Sequence, residues 1–190
     1  ALPFEHDWFT AQGMRSTLVG HPFFDELEPV KPKAGVPGKP LVLLLPGSRG
    51  QEIESNLGSI LRAAAAVHAR VPEARFAVGA LHERHAARVR EMMAALGHEL
   101  GGLDLEIAAG RTRSLIAEAA CAIAVSGSVS LELLSARVPT VIVYRISSLA
   151  YVVQSWCRRA RFITLVNLLG CPEPIQPARG VCHEIGRAHV

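Results

Sequence analysis

The sequence predicts an α/β domain built on a doubly wound parallel sheet with helices on both faces. Three observations predict it. An unbroken apolar run, Leu41–Leu45, closes at Pro46-Gly47, as a strand buried on both faces does. Behind it, Ile53, Leu57, Ile60, Leu61 and Ala64 recur at helical spacing until Pro72 stops the pattern. Strand-like and helix-like segments then alternate as far as residue 159, and that alternation implies βαβ units with right-handed crossovers.

Taken in order, the chain opens on Ala1-Leu2-Pro3-Phe4-Glu5, without an initiator Met, and is expected to start inside a longer protein. Residues 16–19 read as a short β-type segment ending at Gly20-His21-Pro22. Pro29, Pro32, Pro37 and Pro40 follow, interleaved with Lys31, Lys33 and Lys39; fixed φ and missing N–H donors make this a linker or surface crossing. After the Leu41–Leu45 strand come a helix over 52–70, a strand over 75–80 and a helix over 82–96 ended by Gly97. Residues 103–108 predict a third strand, 113–120 a short helix, 121–125 a fourth strand and 129–136 a helix. A fifth strand over 140–144 precedes a helix over 147–159.

Composition narrows the function classes. At 49% apolar and 19% charged, the chain can bury a sizeable core. Twenty Lys and Arg against 17 Asp and Glu leave a net charge of only +3, with no basic run beyond Arg158-Arg159 and no aromatic-basic interleaving. Nucleic acid is therefore not an expected partner. No apolar run approaches the roughly 20 residues that a bilayer crossing needs. Cys121, Cys157, Cys171 and Cys182 lie far apart with no CxxC pair, so they read as reduced thiols, neither a zinc site nor a disulfide framework.

In an open parallel sheet, ligands sit beyond the carboxyl ends of the strands. Two such ends carry small-residue turns that open helices. At Pro46-Gly47-Ser48-Arg49-Gly50, two glycines allow close backbone approach. Free amides of a first helical turn beside the Arg49 guanidinium form an anion site. Ser48 and Gln51 also have the spacing of a capping box, and the two readings can coexist. At Ser126-Gly127-Ser128, small residues again leave amides open, and Glu132 falls one helical turn later, where a carboxylate can accept hydrogen bonds from a sugar diol. A solvated helix glutamate is the plainer reading of Glu132.

Several familiar chemistries are absent. There is no G-x-x-x-x-G-K-[ST], no G-x-G-x-x-G after the first strand and no G-x-S-x-G elbow. No D-x-D suggests a metal-bridged diphosphate, and neither a metal nor a cofactor is called for. His82 and His85 are three apart and read as solvated, while Trp8, Trp156 and Phe162 read as packing residues.

Ordered segments of the chain resemble the lipid-A-disaccharide synthase family of inverting glycosyltransferases. They are Leu2-Pro3-Phe4-Glu5, Val19-Gly20-His21-Pro22, Leu44-Leu45-Pro46-Gly47-Ser48-Arg49 with Glu52, Ser126-Gly127 through Leu131-Glu132, Pro139 through Tyr144-Arg145, and Leu165 through Leu169. Weaker agreement continues at Pro172-Glu173 and Gln176, so the resemblance covers residues 2–177. Where the family has Ser-Gly-Thr-Ala-Thr-Leu-Glu, Ser128 and Ser130 replace threonines and keep the hydroxyls; Val166 stands in place of a proline before Asn167.

The resemblance implies the Rossmann-like C-terminal half of a GT-B fold. It divides the chain into residues 1–28 as a remnant of an N-terminal acceptor domain and crossover, 29–40 as linker, 41–183 as a UDP-sugar (donor) domain, and 184–190 as a non-native tail. The implied reaction joins UDP-2,3-diacylglucosamine to 2,3-diacylglucosamine 1-phosphate and releases UDP. Gly47, Ser48, Arg49, Ser126, Gly127 and Ser128 would surround the diphosphate, with Glu132 on the ribose. Arg145 and Asn167 would orient donor or phosphate, Arg49 and Asn167 being the catalytic pair, with the general base outside this chain. The implied setting is cytoplasmic, with peripheral contact at the inner face of the bacterial inner membrane. Two other readings remain open: a UDP-sugar enzyme of the same layout, such as a 2-epimerase, and a non-catalytic UDP-binding module.

Overall fold

The computed structural model describes residues 3–20, 22–26, 30, 33, 35–143 and 182–183. The apolar run becomes the central strand β1 (Leu41–Leu45), every residue of it buried. Parallel neighbours flank it. On one side lie β2 (Arg75–Ala80) and then β3 (Leu105–Ala109); on the other lie β4 (Ala119–Val125), β5 (Thr140–Val143) and a two-residue antiparallel strand, β6 (Cys182–His183). Among the described residues the order is therefore β3-β2-β1-β4-β5-β6, the doubly wound arrangement expected from the sequence.

The period of two along β1 splits its side chains between two cores. Val42 and Leu44 face α3 (Gly50–His68) and α4 (Glu83–Leu96), joining Leu57, Ile60, Leu61 and Val89. Leu41, Leu43 and Leu45 face the opposite side, with Leu115 and Ile116 of α5 (Thr112–Glu118) and Leu133 of α6 (Val129–Ser135). All five apolar positions that announced α3 are buried. Truncating any of the large ones to Ala carries a cost of about 2–5 kcal/mol.

Two sequence expectations about the fold need correction. Residues 16–19 form no strand; Ser16 instead places its hydroxyl 2.9 Å from Nδ1 of His6. That histidine belongs to α1 (Pro3–Ala11), a helix that the periodicity did not announce and that starts on a proline suited to a first turn; a four-residue helix, α2 (Phe23–Glu26), follows. The third strand begins at Leu105 and the fourth at Ala119, each two residues from its expected start. The proline-rich crossing is anchored: the Lys33 amide donates to the Ala117 carbonyl at 2.8 Å, and Val30 packs on the second core. The helix over 147–159, Trp156, Phe162, the segment around Asn167, Cys157, Cys171 and the tail over 184–190 lie outside the described residues.

Candidate functional site

The sheet order fixes where the two small-residue turns meet. Leu45 of β1 is in register with Ala124 of β4, so the chain leaves these neighbouring strands at the same edge, about 5 Å apart. From there the two turns diverge. One enters α3 on the first face, the other α6 on the second, and between them lies the crevice of a doubly wound sheet. Gly47, Ser48 and Arg49 stand on one lip; Ser126, Gly127, Ser128 and Glu132 stand on the other. Arg145 and Asn167 fall outside the described residues.

On the first lip, the helix start differs from the capping box expected of Ser48 and Gln51. The helix begins at Gly50, and its first backbone bond runs from the Ile53 amide to the Arg49 carbonyl at 3.1 Å. Glu52, not a serine hydroxyl, satisfies the preceding donors. Its Oε2 accepts from the Ser48 amide at 3.1 Å and the Arg49 amide at 3.3 Å, while its Oε1 accepts from Arg49 Nη1 at 2.9 Å. A carboxylate outcompetes a hydroxyl here because it brings two acceptor oxygens and a charge matched to the helix N-terminus. The arrangement requires a glycine at 47: φ is +118°, and a Cβ there would lie 2.7 Å from Glu52 Oε2.

On the second lip, the Ser130 hydroxyl donates to the Gly127 carbonyl at 2.6 Å and fixes the turn from within. Gly127 and Ser128 stay exposed. The Gly127 backbone is not in the left-handed region, and a Cβ there would meet nothing within 4 Å. Folding therefore does not demand a glycine at 127. A ligand pressed against this backbone would.

Glu132 is half-buried on α6, not simply solvated. Burial pushes its carboxyl above the usual carboxylate range, and the nearby Arg113 guanidinium only partly offsets this. Arg113 reaches this site from α5, an approach that no local pattern in the sequence signalled. A carboxyl whose folded pKa is raised favours the protonated native state, so stability falls as pH rises through the window just above the ordinary carboxylate pKa. Glu132→Gln should abolish that fall and leave the fold more stable than wild type at neutral pH. Denaturant titrations on either side of the window check this; a variant less stable at neutral pH would contradict it.

Beside the first lip, a cleft of about 430 Å³ opens between the starts of α3 and α4, lined by Ser48, Arg49, Gly50, Ile53, Arg84, His85 and Arg88. His85 is only 6% exposed, which corrects its reading as a solvated residue. Its Nε2 accepts from Arg84 Nε at 3.3 Å, and its Nδ1 is buried without a partner. Burial first, then Arg84 and His82, hold its pKa below the usual histidine value. Arg88 spans the helices, bonding Glu54 on α3 and Glu91 on α4. Sequence reasoning missed Arg84, His85 and Arg88, because only the packing of α4 on α3 brings them beside Arg49. Cys121 is half-buried, and burial raises its thiol pKa. Among the described residues, no group of three His, Cys, Asp or Glu is placed to hold a metal ion, and no helix is long and apolar enough to cross a membrane.

The family model for lipid-A-disaccharide synthetase matches residues 1–179. The chain belongs to that family. Similar curated members are the lipid-A-disaccharide synthases of Idiomarina loihiensis (32% identity, 90% of this chain and 46% of that protein), Pseudomonas entomophila (30%, 93% and 48%) and Anaeromyxobacter dehalogenans (30%, 88% and 44%). The chain thus spans about half the length of the curated synthases it matches. Among solved structures it is similar to an O-GlcNAc transferase mutant of Thermobaculum terrenum, at 21% identity and a TM-score of 0.39 over 60% of this chain and 24% of that one.

Proposed function

We propose that this chain is the donor-holding half of a lipid-A-disaccharide synthase, with the UDP of UDP-2,3-diacylglucosamine bound across the β1 and β4 carboxyl ends. The observation that carries the reading is the apposition of two small-residue turns at neighbouring strand ends, Leu45 in register with Ala124, where a doubly wound sheet receives ligands. Arg49 and the amides of the 47–49 turn take one side of the diphosphate, and the Gly127 and Ser128 amides take the other. Glu132 accepts from the ribose hydroxyls. Arg145 and Asn167 orient donor and phosphate. Residues 41–183 form this unit, residues 1–28 belong with the acceptor side, and 29–40 join the two.

In the reaction, a hydroxyl oxygen of 2,3-diacylglucosamine 1-phosphate attacks the donor's anomeric carbon opposite its bond to the β-phosphate oxygen. That bond breaks, the hydroxyl proton passes to a base, and UDP leaves with the configuration at the carbon inverted. Negative charge grows on the departing β-phosphate oxygen. Once the donor is bound, the backbone N–H groups and the Arg49 cation stabilise that charge as it grows. The base and the acceptor wall come from the half of the relatives that this chain does not span. Because both substrates carry acyl chains, the enzyme works at the inner face of the cytoplasmic membrane as a peripheral protein.

The test is an assay of the protein containing this chain with both acylated substrates. Disaccharide 1-phosphate and UDP should form in equal amounts, and residues 1–190 alone should form neither. Conversion of UDP-N-acetylglucosamine to its 2-epimer, with no disaccharide, would replace this reading with the epimerase one. UDP binding without any turnover would leave a binding module.

A further inference from the structure

Glu52 sits where the donor-loop reading places a phosphate. Its two carboxylate oxygens gather two backbone amides, those of Ser48 and Arg49, and the Arg49 guanidinium. Two aimed N–H groups and a planar cation around one anion are the set of donors that phosphate oxygens recruit. The seat is held from both sides. Asn56, 2% exposed, donates through Nδ2 to the Glu52 carbonyl at 2.8 Å, and the bare Gly47 backbone leaves room for the carboxylate that a Cβ would fill.

We propose that Glu52 is a positioning residue that stands in for the donor's phosphate, filling the anion seat of the 47–49 turn in the free chain and leaving it when the diphosphate arrives. The proposal rests on the donor-loop reading and goes beyond it. Each amide offers one proton, so carboxylate and phosphate cannot both accept from Ser48 and Arg49. Two anions at contact distance also repel. The Glu52 side chain is 27% exposed, so it has a path to solvent when displaced. Two consequences follow. The turn is ordered before the ligand comes, so binding does not bear that ordering cost. Apparent affinity is lowered by the fraction of time the seat is filled, and a seat vacant one-tenth of the time costs about tenfold.

A plain capping role makes the opposite prediction. If Glu52 only braced the helix start, removing its charge would lower stability and weaken or spare ligand binding. The experiment is calorimetric titration of UDP into the purified chain, alongside Glu52→Gln and Glu52→Asp. Glu52→Gln should melt a few degrees lower, as a lost cap does, yet bind UDP about tenfold more tightly. Glu52→Asp keeps the charge but is one methylene too short to reach both amides, so it should also tighten binding.

Other results decide against it. UDP binding that is unchanged or weaker in Glu52→Gln overturns the stand-in role while the donor-loop reading survives. Tighter binding in Glu52→Gln but not in Glu52→Asp shows general charge repulsion, and overturns occupation of the seat. UDP that fails to bind wild type and both variants overturns the donor-loop reading and this proposal with it. Should Glu52→Gln fail to fold, Glu52→Asp alone decides.

Discussion

Replacing Arg49 by Ala is expected to weaken UDP binding by about ten- to a hundredfold, the equivalent of about 1.5–3 kcal/mol for a hydrogen bond to a charged group. In the intact enzyme the same change should lower turnover by at least as much, since the charge on the leaving phosphate is greatest in the transition state. Stability should barely move. The Arg49 side chain is 81% exposed, and its ion pair is with Glu52, three residues along. Exposed pairs of this kind contribute about 0–1 kcal/mol. Arg49→Lys should recover little, because a single ammonium cannot reproduce the planar fork. Thermal melting and UDP calorimetry on the same samples check both halves. A variant that melts lower but binds UDP as wild type does would make Arg49 a cap residue and nothing more.

The second large effect lies at Gly47. An alanine there must adopt φ of +118° and place its Cβ 2.7 Å from Glu52 Oε2 and 2.8 Å from Glu52 Cβ. Backbone strain of this kind costs about 1–3 kcal/mol, and the contact adds to it. Gly47→Ala should therefore lower the melting temperature by several degrees and abolish detectable UDP binding, because the 47–49 turn can no longer present its amides. Gly127 supplies the contrast. With no positive φ and open space where a Cβ would go, Gly127→Ala should melt like wild type and lose only UDP affinity. A Gly47→Ala variant as stable as wild type, or a Gly127→Ala variant that binds UDP normally, would contradict the roles given to these two turns.

How far the sequence carried the fold depended on how local the cause was. The Leu41–Leu45 run and the Ile53–Ala64 stripe are local patterns of burial, and both elements formed where they were expected. Alternation of such elements was enough for the doubly wound order, since connection rules leave few other topologies. Residues 16–19 have strand-like composition, but a strand needs a partner edge, and Ser16 turns back to α1 instead. The cap of the helix after β1 was misread because Ser48 and Gln51 fit a spacing rule, while the charged competitor one residue further on won the amides.

The candidate site follows the same division. Gly47, Ser48, Arg49, Gly127, Ser128 and Glu132 were legible because small residues and helix starts mark strand ends in sequence. Arg113, on α5, and Arg84, His85 and Arg88, all on α4, were not, since only the packing of these helices brings them to their places. The burial of Glu132 that raises its carboxyl pKa is likewise a product of the folded α6, invisible along the chain.

In the proposed site, one diphosphate touches both turns. The most direct measurement is a UDP titration of the isotopically labelled chain, followed at the backbone amides. Gly47, Ser48, Arg49, Gly127 and Ser128 should shift together along one saturating curve. Shifts confined to the crossing over residues 29–40, or to one turn while the other stays silent at saturation, would contradict it.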